Sequence, residues 1–350
     1  MSFKTFDLAH DVASLQSAIN EVVSISASLF VTGAGNLNTK FYTNIATGSG
    51  QPALGGYWET VFDSSPASPQ STALFDITVG LSTGSVYYAS ASVQAMGCAN
   101  EKSKVYREMA SVLLGDPNDQ FTPAIGSTPW TECFFILIKR GLMKDELKKG
   151  SISLVFNDSP LSLFITGSDF GAATQFQQSN GGDWASLFSG SNTGSVVGQV
   201  YYNAGIIVIP ALTGNLPWVV NSGTDFWSGS TAGVSPLVNI LGSGTMDMAD
   251  DGLRAHIQQV NFNNQTDLYS TIYFCRATNT EFNYSSNPTY IDSTQRILVT
   301  SGSNVLQSRT YITTVGLYDA NDNLLAVGKV NKPITKSPDT EAIFRIRLDY

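Results

Sequence analysis

Apolar positions along this chain come mostly in short runs, separated by Gly, Ser, Asn and Pro. Leu74–Val79, Cys133–Ile138, Ser151–Phe156, Leu161–Thr166, Ala255–Asn261 and Tyr269–Arg276 are each too short for a typical helix and rich in β-branched or aromatic residues. They read as strands, as does Tyr57–Phe62. Val200–Pro210 (VYYNAGIIVIP) reads as a strand pair or one bulged strand, with Gly205 at the bulge. Two stretches carry a helical period instead. Leu8, Val12, Leu15, Ile19 and Val22 recur at spacings of four and three, predicting a helix from about Asp7. Val105, Tyr106, Met109, Val112 and Leu113 form a second stripe, predicting a helix over Asn100–Leu114 with Asn100 as N-cap and Gly115 after its end.

The C-terminal forty residues carry the clearest pattern. Tyr311–Tyr318 and Leu324–Val330 are apolar strands around the polar turn Asp319–Asn323, a hairpin signature. Lys332-Pro333 breaks the pairing, because proline brings no N–H to a ladder. Ala342–Tyr350 alternates, with Ile343, Arg345, Arg347 and Asp349 on one face and Phe344, Ile346, Leu348 and Tyr350 on the other. A three-strand element over 311–350 follows, with Tyr350 docked. The expected fold is mainly β, an α+β chain with few helices, its sheets antiparallel and sandwich-like. It reads as one β-rich unit over 1–350. The Gly/Ser-rich stretches 167–198 and 212–244 read as long loop insertions. Asn36–Pro52 reads as a loop, Met143–Lys149 as a short charged turn or helix, and MDMADDG (Met246–Gly252) as an acidic turn.

Composition narrows the function classes. The net charge of −9 argues against direct nucleic-acid binding, which needs a basic footprint. The run Lys139, Arg140, Lys144, Lys148 and Lys149 reads as a solvated or interface helix face. Charged residues make up only 13%, about half the ~25% usual in globular domains. That suits a protein burying surface in an assembly. Cys98, Cys133 and Cys275 show no C-x-x-C spacing and read as free thiols from a reducing cytosol. No apolar run is long enough to span a membrane, and the N-terminus lacks the pattern of a signal peptide.

Candidate chemistry is sparse. Gly80-Leu-Ser82-Thr-Gly84 matches G-x-S-x-G, but a nucleophile elbow needs a helix after the serine, and Ser85–Tyr88 reads as extended. His256, the one histidine after it, falls in a strand-like segment. Gly33-Ala-Gly35 lacks the third glycine of a dinucleotide fingerprint. Asp247, Asp250 and Asp251 lack the spacing of a calcium loop. No catalytic, cofactor or metal residues emerge, and the chain reads as a non-enzyme.

Several segments together resemble a family of virion structural proteins of T4-like, contractile-tailed phages of marine and cyanobacterial hosts. They are FDLAHDVASLQSAINEVV, YWETVFD followed by LFDITVGLSTGS, EKSKVYREMASVLLG, FFILIKRGLMKDELKKGSISLVF, VGQVYYNAGIIVIP, NYSSNPTY and the closing YITTVGLYD, LLAVGK and RIRLDY. The resemblance is collinear over most of the chain. It implies a tail or baseplate subunit present in many copies, in a ring or spoke, among other virion structural proteins. The virion, assembled in the host cytoplasm, is then the expected location. A receptor-binding or fibre-attachment module is the alternative, with a head or neck component or a tail-associated glycan hydrolase behind it. As loop aromatics at contacts, Trp184, Trp218 and Trp227 are candidate interface residues, with Tyr350.

Overall fold

A computed structural model describes residues 4–26, 38–42, 57–63, 68–89, 96–123, 128–158, 163–169, 171–190, 195–211, 237–288, 290–296 and 309–349. The protein is mainly β, as the alternation predicts. Its contacts resolve into two compact units. One comprises Ile19–Thr266, the other Met1–Ala18 with Asp267–Tyr350. Two long strands, β1 (Val12–Ser26) and β13 (Ile257–Ala277), give part of their length to each.

The larger unit is one antiparallel ladder built from β2 (Asn38–Tyr42), β3 (Trp58–Phe62), β4 (Ala73–Leu81), β5 (Glu132–Ile138), β7 (Ser153–Asp158), β8 (Leu163–Ser168), β10 (Gly182–Ser189), β11 (Val196–Tyr201) and β12 (Ile206–Pro210). Neighbours run β13-β7-β8-β10-β11-β12-β5-β4-β3-β2; the short β6 (Glu146–Leu147) pairs with β13 and β9 (Gln177–Ser179) with β10. In β5 the consecutive residues Cys133, Phe134, Phe135 and Ile136 are all fully buried, and all of β12 is buried. Both faces of these strands are therefore covered, which is why they read as unbroken apolar runs rather than alternating ones. Helix α1 (Val86–Ala89) is a single turn; α2 (Met96–Leu113) packs on β4. The approach is close at Gly80, where an added Cβ would lie 2.9 Å from the Tyr106 Cα. Three shorter helices follow among the described residues: α3 (Arg140–Met143), α4 (Leu237–Ser243) and α5 (Met246–His256), the last packed on β3 and β4.

In the smaller unit β16 (Ala342–Asp349) pairs antiparallel with β13, from Ser270 opposite Asp349 to Ala277 opposite Ala342. Its side chains alternate between half-buried and exposed along the strand, as its sequence predicts. β14 (Thr310–Tyr318) and β15 (Leu324–Lys336) form a separate two-stranded sheet. The three C-terminal strands thus divide between two sheets. Lys332-Pro333 does not end β15. The ladder passes from Thr314–Lys329 to Ile312–Ile334, so the proline sits in an irregularity where no N–H is required. Lys336, fully buried, anchors the hairpin's base by donating to Asn283 Oδ1 (2.8 Å), the Ser337 carbonyl (2.9 Å) and the Asn279 carbonyl (3.3 Å).

Several expectations need correction. The N-terminal stripe is not helical, for Val12–Ser26 is β1. Leu8, Leu15, Ile19 and Val22 stay exposed, and β-branched Val22, Val23 and Ile25 favour the pleated strand that pairs with β13. Within 167–198 lie parts of β8 and β11 and all of β9 and β10, where the sequence suggests a loop. Asn38–Tyr42, inside another expected loop, pairs with β3. The acidic stretch at 246–252 is the start of α5, where carboxylates suit the N-terminal end of a helix. Helix α2 starts four residues early, so Asn100 lies inside it. Gly115, at φ +104°, does close α2, its N–H donating to the Ala110 carbonyl at 3.0 Å. Gly205, at φ +68°, sits in the β11–β12 turn, so the strand-pair alternative is the observed one.

Asp169, buried at the end of β8, ties three segments together. Its Oδ1 accepts from the Ile152 N–H (2.9 Å); its Oδ2 accepts from the Gly150 N–H (2.7 Å) and the Tyr202 hydroxyl (2.9 Å). Burial nevertheless pushes its pKa up to about 6, against the pull of those hydrogen bonds. The folded chain therefore holds this proton more tightly than the unfolded chain does. The sign follows: this group lowers stability as pH rises from about 4 to about 6, by up to ~3 kcal/mol. Asp169→Asn should remove that dependence and be less stable than the parent at pH 5 by about 1–3 kcal/mol, because one amide group must face an N–H. Urea midpoints at pH 7 and pH 5, for parent and variant, measure both effects.

Candidate functional site

The G-x-S-x-G serine does not build a nucleophile. Ser82 follows β4 and, contrary to the extended reading, a helical turn (α1) comes after it. Yet Ser82 is buried, and its Oγ accepts from the Gly84 N–H (3.3 Å) and from Gln120 Nε2 (3.0 Å). These amides, not an imidazole, orient it. His256 is the last residue of α5 rather than part of a strand. Among the described residues no three of His, Cys, Asp and Glu cluster so as to hold a metal ion, and no helix is long and apolar enough to cross a membrane. The three cysteines are free, and burial pushes the Cys133 thiol well above the ordinary thiol range. Buried thiols of this kind are unreactive.

The basic run over 139–149 is largely matched by acids. Lys139 Nζ lies 2.6 Å from Asp76, Lys149 Nζ 2.6 Å from Asp183, and Arg140 Nη2 4.0 Å from Asp145. Lys149 also lies over the Phe176 ring, 4.4 Å from its centroid. Of these residues only Arg140 lies in a helix, α3, and Lys139, Lys144, Lys148 and Lys149 lie outside the named helices and strands, so the run makes no single helix face.

Two features could engage a partner. The first is a groove of about 470 Å³ in the larger unit, lined by Tyr57, Trp58, Thr78, Val105, Met109 and Leu137, with Asp76, Lys104 and Glu108 at its polar positions. Asp76 is held by Lys139 and by the Thr60 hydroxyl (2.6 Å), and Lys104 by Glu101 (2.7 Å). Compensated charges of this kind shape a surface rather than transfer protons. The sequence marks Tyr57-Trp58 only as the start of a strand, so the groove is not visible there.

The second is the β14–β15 hairpin. One of its faces turns toward β16, where a Cβ on Gly328 would sit 3.7 Å from Ile346 Cδ1. On the other side Leu325 is 67% exposed and Val327 51% exposed, with Leu324 exposed beside them. Tyr318 folds back over Gly316, where an added Cβ would meet its ring at 2.8 Å. The hairpin thus presents an apolar patch next to an acidic turn. Asp319 organises that turn, its carboxylate accepting from the Asn321 and Asn323 N–H groups at 2.8 and 2.7 Å.

Of the candidate interface residues, Trp184 is the one the structure describes; Trp218, Trp227 and Tyr350 lie outside the described residues. Trp184 is not a loop residue. It stands in β10 opposite Tyr201, half-buried, the two rings stacked at 5.9 Å between centroids. Gly182, at φ +95°, makes the tight β9–β10 turn that places it there. Comparison of the chain with protein-family models, with curated proteins and with solved structures gives no match.

Proposed function

We propose that the chain is a structural subunit of a contractile phage tail, placed in the baseplate and built in by protein–protein contacts in several copies. The observation that carries this reading is the collinear resemblance to tailed-phage virion proteins, from FDLAHDV at Phe6–Val12 to RIRLDY at Arg345–Tyr350. Two physical features support it. Low charge suits a chain that loses much of its surface to neighbours. Exposed apolar side chains concentrate on strands, notably β15, where contacts to a neighbouring strand can form. Purified particles of the phage carrying this gene, probed by mass spectrometry and by labelled antibody in electron micrographs, test the assignment. The expected result is stoichiometric protein at the distal end of the tail. Labelling of the head shell, or absence from the particle, overturns it.

A further inference from the structure

We draw no further inference here: the strongest candidate, the groove of the larger unit lined by Tyr57, Trp58, Val105 and Met109, carries nothing because nothing in the structure shows what covers it.

Discussion

Deleting Glu341–Tyr350 is expected to unfold the smaller unit. The deletion removes β16, which makes eight residue pairs with β13 between Ser270 and Ala277. It strips the inner face of the β14–β15 hairpin of Ile346 and takes away half-buried Phe344 and Leu348. It also removes the acceptor of the Ser270 hydroxyl, which donates to Asp349 Oδ1 at 2.6 Å. Three partly buried apolar side chains and a strand ladder together contribute about 4 kcal/mol or more. That is a large share of the roughly 5–15 kcal/mol by which domains are stable. Limited proteolysis read by mass spectrometry should find new cleavage within 267–288 and 309–336, while 132–158 and 195–211 stay protected. Soluble protein with the parent's melting temperature and digestion pattern would refute this.

How much of this fold is legible in the sequence depends on which contacts replace apolar ones. β4, β5 and β12 are plain because both faces are buried and nearly every residue is apolar. β16 is plain for the opposite reason, since one face is solvated and the alternation is clean. β13 reads from sequence as two strands, because Asn263–Asp267 is polar. In the fold it is continuous there: the Asn264 amide accepts from the Glu21 N–H (3.1 Å) and donates to the Leu142 carbonyl (2.9 Å). Side-chain hydrogen bonds hold that stretch, and no periodicity of hydrophobic residues reports them. β10 is hidden similarly, because Gly, Ser and Asp dilute Trp184, Leu187 and Phe188. The hairpin is legible as strands, but its separation from β16 is not. Pairing partners are set by tertiary contact, and the alternation of β16 suits a strand beside β15 as well as one beside β13.

Lys102 carries no signal in the sequence, and its replacement by methionine should strongly destabilise the larger unit. Lys102 sits on α2 and is fully buried. Its Nζ donates to the carbonyls of Ile240 (2.6 Å), Leu241 (3.0 Å) and Gly244 (2.8 Å), at the end of α4. The last carbonyls of a helix have no partner within it, and the helix dipole makes that end negative. An ammonium has three N–H bonds, and here each finds one of these oxygens. Methionine keeps the length of the stem and none of the donors. The Ile240 carbonyl would keep the Gly244 N–H (3.0 Å), but those of Leu241 and Gly244 would lose this donor in an interior where an unsatisfied group costs about 1–3 kcal/mol. Lys102→Met should therefore lose about 4 kcal/mol in denaturant unfolding, and Lys102→Arg less, because a planar guanidinium meets the three acceptors imperfectly. Two residues along α2, Lys104 gives the control. It is exposed and pairs with Glu101 at 2.7 Å, an arrangement that contributes about 1 kcal/mol or less. Equal losses for Lys102→Met and Lys104→Met would mean that the buried ammonium does not hold α4 to α2.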